Sequence, residues 1–237
     1  MLSVIIPTHN EAKRIRPTLE SLTRFLRTKK IPFELVIVDD GSDSTSEIVR
    51  KFGEENSWLR LNLMHFRKRL GKGGGVKKGL EAARGANLLV YDADAATPPS
   101  EIPKALAALK ESDVVIGSRS APGAVVQGIT PHRRLSSRVF NLLVRLLFGL
   151  PFSDTQCGFK AFRKKVGKNL ARELTHSGFE FDVELLYRAK KKGFSVKEIP
   201  VCWKHVPGGP LEAGFLGVFK TALKMIWELL KLRLELR

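Results

Sequence analysis

Asp92-Ala93-Asp94 places two carboxylates one residue apart, directly after the apolar run Leu88-Leu89-Val90-Tyr91. Carboxylate oxygens are hard ligands, so a pair at this spacing suits a divalent ion such as Mg²⁺ or Mn²⁺ that bridges phosphate oxygens. The pattern is short and common by chance, and its weight comes from its place at the end of a strand-like run. Three further runs end in polar residues in the same way. Val4-Ile5-Ile6 leads into Pro7-Thr8-His9-Asn10-Glu11, Val36-Ile37-Val38 into Asp39-Asp40-Gly41-Ser42, and Val115-Ile116 into Gly117-Ser118-Arg119. Any one of these reads as a turn or a helix cap. Four of them, each at a strand's carboxyl end, read as a site, because capping does not require acids on every loop of a rim.

The elements that must carry these residues follow from hydrophobic periodicity. Short β-branched runs at Leu2–Ile6, Phe33–Val38, Leu59–Met64, Asn87–Tyr91 and Asp113–Gly117 alternate with helical patterns at Thr18–Arg27, Ser46–Glu54, Val76–Arg84 and Glu101–Lys110. The alternation predicts an α/β fold, a mostly parallel sheet flanked by helices. In such sheets ligands bind beyond the carboxyl ends of the strands. Ser44 or Thr45 and Ser100 are the expected N-caps. Beyond Gly117 the rhythm changes to a turn-rich loop Ser118–His132, an apolar helix Leu135–Phe148, a compact segment Asp154–Arg163, a helix Asp182–Lys192 and a final strand Ser195–Val201. Leu211–Arg237 has no internal proline and is expected to form one long helix. The chain thus divides into residues 1–210, which carry the site, and a terminal helix, 211–237.

Gly71-Lys72-Gly73-Gly74-Gly75 is glycine-rich, but it is not a GxGxxG after the first strand and does not end in GK[ST]. Neither a dinucleotide fold nor a P-loop is supported. Two readings stand side by side: a flexible basic loop, or a lid whose Lys72 reaches a diphosphate. With 237 residues, 43% of them hydrophobic, the chain can bury a full core. Lys and Arg number 41 against 24 Asp and Glu, so a net charge of +17 must attract an anion: nucleic acid, anionic lipid or a phosphorylated substrate. A nucleic-acid-binding module calls for aromatics among the basic residues, yet only two tyrosines and three tryptophans occur, and acids line the rim where a groove would be positive. No nucleic acid is therefore expected. Cys157 and Cys202 stand far apart without the spacing of a zinc site or a disulfide framework, which suits a reducing cytoplasm. Met1–Pro7 lacks the basic start of a signal peptide.

Two segments have a membrane character. Val139–Phe148 is too apolar for an ordinary surface helix and too short to span a bilayer. The terminal helix has Phe215, Leu216, Phe219, Leu223, Ile226, Trp227 and Leu230 at three-to-four spacing, with Lys220, Lys224, Lys231 and Arg233 on other faces. A basic amphipathic helix of this kind suits an interface-lying anchor, and the same stripe would equally suit docking on the core or a dimer contact. No run reaches about 18 uncharged apolar residues, the span a membrane helix needs. A peripheral protein on the cytoplasmic face of a membrane is expected.

Taken together, Val4–Glu11, Val36–Ser42, Asp92–Asp94 and Gly117–Arg119 resemble glycosyltransferase family 2, and the likeness covers nearly the whole chain. Asp154-Thr155-Gln156-Cys157-Gly158-Phe159-Lys160 and Phe181–Tyr187 resemble its dolichyl-phosphate glucosyltransferase branch. The resemblance implies a GT-A-like nucleotide-sugar-binding fold, a metal-bridged diphosphate and a polyprenyl phosphate acceptor. It implies that Pro7, Asn10, Glu11 and Asp39 hold the nucleoside side of the donor and Asp92 and Asp94 the metal; Asp40 on the same rim and Lys72, if it reaches the diphosphate, are further donor-binding candidates. Arg119, Arg133 and Ser137 match positions that grip the acceptor phosphate in the related dolichol-phosphate mannose synthases; Asp154 and Asp182 are the candidates for orienting sugar or acceptor, with a structural cap the alternative for each, and the resemblance favours Asp154. Two positions depart from the pattern. The mannosyl enzymes carry glutamine two residues after the second metal aspartate, where this chain has Ala96, which favours UDP-glucose over GDP-mannose as donor. A Gly-Ser-Lys loop of the family is replaced by Gly208-Gly209-Pro210.

The chemistry matches this set. A phosphate monoester has a second pKa of about 6 and is largely dianionic at neutral pH, so it can attack a sugar without a strong general base. His9, His65, His132, His176 and His205 accordingly need form no cluster. The acceptor requires a cationic clamp, for which the arginine fork is suited. Arg133, Arg134 and Arg138 stand at an expected helix start, where cations oppose the helix dipole, so a purely structural role is unfavoured.

Overall fold

The computed structural model describes residues 1–206 and 215–236, leaving aside the side chains of residues 132, 133 and 215–224. Seven strands form one sheet in the order β3-β2-β1-β4-β7-β5-β8. β1 (Leu2–Thr8) lies between β2 (Phe33–Asp39) and β4 (Asn87–Val90) and is parallel to both; β3 (Leu61–His65) extends the sheet beyond β2. Its sequence explains the placement, since Leu2, Val4, Ile5 and Ile6 leave no polar face and require cover on both sides. Side chains alternate across the sheet. Val4, Ile6, Leu35, Ile37 and Leu89 pack under α1 (Ile15–Thr28), α2 (Thr45–Glu55) and α4 (Ile102–Ala108); Ile5, Val36, Val38, Leu88 and Val90 pack on the opposite side. In α1, Ile15, Leu19, Leu22 and Leu26 recur every three or four residues and are fully buried.

The expected strands form, within a few residues of their expected bounds. The glycine-rich segment behaves differently from both of its readings: Gly71–Ala82 is α3, a helix that begins five residues before Val76. Glycine in a helix interior costs about 1 kcal/mol relative to alanine, and close packing outweighs that here. A Cβ on Gly73 would lie 2.5 Å from the His176 carbonyl oxygen, one on Gly75 would lie 3.1 Å from Pro7 Cβ, and one on Gly79 would run into Ile5. The segment is neither a flexible loop nor a lid; its glycines let the helix press on β1.

The second half holds elements the periodicity did not reveal. Within the compact segment, β7 (Lys160–Arg163) inserts antiparallel between β4 and β5 (Val114–Ser118), and α6 (Lys164–Glu173) follows directly. The turn-rich loop contains β6 (Val125–Gln127), which pairs with β9 (Cys202–Lys204), just past β8 (Val196–Pro200). α5 (Pro131–Phe148) starts four residues earlier than expected, with proline in its first turn. α7 is Phe181–Lys191. At α2 the side chain of Ser44 makes no capping bond; Asp43 Oδ1 accepts from the Thr45 N–H at 3.0 Å, and Ser100 lies inside the single turn Pro99–Glu101.

The last helix, α8, is described over Phe215–Glu235; the expected start at Leu211 and the Gly208–Pro210 loop lie outside the described residues. In its second half Leu229 and Leu232 are fully buried in the core formed with Phe140, Val144 and Phe148 of α5, while Trp227, Leu230 and Leu234 are exposed. The face that docks is therefore Leu229 and Leu232, not Trp227 and Leu230 of the expected stripe. Among the described residues no helix is long and apolar enough to cross a membrane.

Candidate active site

Because β1, β2, β4 and β5 run the same way, their carboxyl ends open on one rim. At the end of β4, Asp92 Oδ1 meets Lys72 Nζ at 2.8 Å. Lys72 comes from the first turn of α3. Gly158 closes over the other side, where a Cβ would collide with the Asp92 carboxylate. Burial raises the pKa of Asp92, but the charge and hydrogen bond of Lys72, with Lys160 and Arg119 behind, hold it below the usual range. Asp94 goes the other way: burial, then the neighbouring Asp92 charge, push its carboxyl up. Its Oδ1 accepts from the Ala96 N–H at 3.0 Å, across Ala95 in the left-handed region at φ 52°. Two hard carboxylates, one of them penalised for its own charge, fit a divalent cation. The described residues hold no cluster of three or more side chains that would ligate an ion unaided.

The β1–β2 end of the rim is internally bonded. Asp39 is fully buried and accepts from Ser46 Oγ at 2.6 Å, Thr8 Oγ1 at 2.9 Å, His65 Nδ1 at 3.1 Å and the Gly41 N–H at 3.2 Å. Asp40 accepts from the Leu70 and Gly71 N–H groups at 2.7 and 2.8 Å, capping α3 and so placing Lys72, and pairs with His9 at 2.8 Å. Asn10, at φ 57°, accepts from the Ser42 and Asp43 N–H groups. Glu11 takes the fork of Arg14 at 2.6 and 2.8 Å; burial raises its pKa against that pairing, and the charges of Asp94 and Asp92 add to the rise. Glu11 and the two β4 carboxylates therefore share one field. Pro7 is half-buried against Gly75.

The other end is built from distant segments. Arg119, just after β5, forks onto Asp154 at 2.7 and 2.9 Å, and its N–H reaches the same carboxylate at 3.0 Å. Asp154 is 1% exposed; burial raises its pKa, and Arg119 overcomes this and holds it low. Glu198 of β8 accepts from the Ser153 and Asp154 N–H groups, and Asn141 of α5 accepts from the N–H and hydroxyl of Thr155. Trp203 of β9 lies 5.6 Å from the Arg119 guanidinium. Ser137 is half-buried one turn before Asn141, its carbonyl bonded to the Asn141 side chain. Arg134 and Arg138 are exposed, and the Arg133 side chain lies outside what is described. Beneath Asp92, Lys160 Nζ pairs with Asp182 at 2.5 Å, both 2% exposed.

Residues 3–171 match the family described as Glycosyl transferase family 2. The chain belongs to that family. This family-2 glycosyltransferase is 31% identical over 245 residues to the dolichyl-phosphate beta-glucosyltransferase of Dictyostelium discoideum, covering 98% of this chain and 73% of the relative. It is likewise 31% identical to the human dolichyl-phosphate beta-glucosyltransferase, over 99% of this chain and 75% of the relative. A glycosyltransferase of Haloferax volcanii is 35% identical over 96% of this chain, which spans only 37% of that longer protein. The family-2 fold is shared with glucosyl-3-phosphoglycerate synthase from Mycobacterium tuberculosis in complex with Mn²⁺, UDP and glucosyl-3-phosphoglycerate, at a TM-score of 0.70 and 17% identity, covering 98% of this chain and 79% of that one. It is shared also with a mannosyltransferase from Pyrobaculum calidifontis in complex with GDP-Man and Mn²⁺, at 0.63 and 20% identity, covering 94% and 60%.

Reading the sequence alone left Lys160, Glu198, Trp203 and Gly158 without roles. Lys160 had a signal, a lone cation in the apolar run Phe159-Lys160-Ala161-Phe162. Glu198 and Trp203 had none, since only the tertiary fold brings β8 and β9 to Arg119.

Proposed function

We propose that this glycosyltransferase moves glucose from UDP-glucose to a polyprenyl phosphate of the dolichyl type, with inversion, at the cytoplasmic surface of a membrane. One observation carries the reading: Lys72 on Asp92 and Arg119 on Asp154 bring two phosphate-seeking cations to either side of the paired β4 carboxylates, within one electrostatic cluster. The glucosyltransferase names of relatives matched over nearly the whole chain support the acceptor class, and Ala96 supports glucose over mannose.

Asp92 and Asp94 would hold a Mg²⁺ or Mn²⁺ ion, which supplies Lewis-acid stabilisation of a leaving diphosphate. Lys72 is positioned to pass from Asp92 to a donor phosphate oxygen. Pro7, Asn10 and Glu11 line the nucleoside end; Asp39 and Asp40 act one step back, shaping the turn and capping α3. An acceptor phosphate oxygen attacks the sugar's anomeric carbon as the bond from that carbon to the UDP oxygen breaks, so UDP leaves and the configuration inverts. Arg119, Arg133 and Ser137 grip the acceptor phosphate, with Asp154 orienting Arg119.

Residues 211–237 act with α5 as the membrane-facing part. Leu135, Val139, Leu142 and Leu146 form an exposed stripe on α5, with Leu146 73% exposed, and Trp227, Leu230 and Leu234 are exposed on α8, which packs on α5. Exposed Arg134, Arg138 and Lys231 suit anionic headgroups. The test is glucosyl-lipid formation and UDP release from UDP-glucose and Mn²⁺, with and without a short polyprenyl phosphate, and with GDP-mannose in parallel. Transfer from GDP-mannose alone would overturn the donor, and UDP release indifferent to the lipid would overturn the acceptor.

A further inference from the structure

The loop 154–158 runs from the carboxylate that holds Arg119 to the glycine that closes over Asp92. Several of its polar groups are bonded. Asp154 carries Arg119, Thr155 bonds to Asn141, the Cys157 carbonyl accepts from Lys160 at 2.6 Å, and the Gln156 N–H donates to Asp154 Oδ1 at 3.0 Å. The side-chain amide of Gln156 is the exception. Its Nε2 is buried and has no hydrogen-bond partner among the described residues. A buried donor left unmade costs stability, and its persistence beside the bonded side chains of Asp154 and Thr155 calls for a reason.

We infer that Gln156 is a specificity-determining residue whose amide donates a hydrogen bond to an oxygen of the transferred sugar. The inference rests on the proposed donor and acceptor ends of the rim. A sugar in transit must lie between the leaving diphosphate at Lys72 and Asp92 and the acceptor phosphate at Arg119, and this loop spans those two places. A site built to bond a substrate hydroxyl discriminates strongly, because the wrong ligand leaves the buried group unpaired.

The experiment is isothermal titration of the full chain with UDP and with UDP-glucose, each with Mn²⁺, for the wild type and for Gln156→Met, which keeps length and volume without a donor. UDP affinity should stay within about twofold while UDP-glucose affinity falls roughly tenfold, about 1.4 kcal/mol. The melting temperature should hold or rise, since the unmet donor is gone. Equal weakening of both ligands, or a large drop in melting temperature, would make Gln156 a structural part of the loop and overturn the inference, as would an unchanged UDP-glucose affinity. If the wild type binds GDP and GDP-mannose instead, the donor reading falls while the same comparison on that pair still decides Gln156.

Discussion

Two lysine–aspartate pairs lie close together under the rim and differ in one respect. Lys72–Asp92 is open to solvent, at 27% and 32% exposure, whereas Lys160–Asp182 is sealed at 2% each. In the open pair solvent can replace either partner, so the contact is weak and exchangeable. In the sealed pair nothing can. Burial drives the Asp182 carboxyl up even against Lys160, so the pair is held together by the cost of separating it more than by any gain over an apolar core. On the proposed reading, a substrate phosphate would displace the first, while the second keeps the floor of the site in place.

The contrast is broken most severely at the sealed pair. Lys160→Met should destabilise the fold by about 3–5 kcal/mol near neutral pH by leaving the buried Asp182 carboxyl without its hydrogen-bonded partner. Denaturant unfolding measures this, and Lys160→Met with Asp182→Leu should recover much of the loss. At the open site the large effect is on turnover. Asp94→Asn should keep the fold and lose metal-dependent turnover about a hundredfold or more, the several kcal/mol a metal's Lewis acidity supplies; undiminished rates at ordinary Mn²⁺ would remove Asp94 from the metal site.

Arg133→Ala should cost about 1.5–3 kcal/mol of acceptor interaction, roughly ten- to a hundredfold in the acceptor dependence, with donor affinity hardly moved and lysine rescuing only part. Steady-state kinetics varying each substrate separately decides it. Lys72→Met should weaken UDP-glucose binding roughly tenfold, about 1.4 kcal/mol, yet shift the melting temperature little, because a part-exposed pair adds only about 1 kcal/mol.

The smallest effect is a sign. Asp94 has a raised carboxyl pKa in the fold, so its contribution to stability is present below the ordinary Asp range and lost as pH rises through the raised value. Asp94→Asn should therefore melt no lower than wild type at neutral pH. Any advantage should vanish below about pH 3.9, and melting curves across pH report both limits.

The strand ends were legible in sequence because parallel strands buried on both faces are continuous apolar runs, and the first polar residue after each must lie at the rim. That route put Asp92, Asp94 and Arg119 just past strand ends, which is where they stand in the fold. What stayed hidden depends on contacts between distant segments. Gly71–Gly75 looks like a loop by propensity and is a helix start in a place where Pro7, His176 and Phe181 come too near for larger side chains. β7 is short and its antiparallel direction has no local signature. Asp39 and Asp40 sit side by side in sequence, yet one is consumed inside the protein and the other caps a helix, a division no spacing foretells.

The reversed strand has a consequence for how such an enzyme can vary. Since β7 runs against β4 and β5, the chain leaves the rim at Arg119 and re-enters it at Lys160 on the same side of the sheet. The excursion between, with β6 and α5, is pinched at its neck by the Arg119–Asp154 ion pair and pinned to Thr155 by Asn141. It is a cassette with both ends fastened beside the reaction centre. On the proposed function, insertions or exchanges within it would change what approaches the sugar from the acceptor side, while the strands that carry Asp92 and Asp94 keep their register.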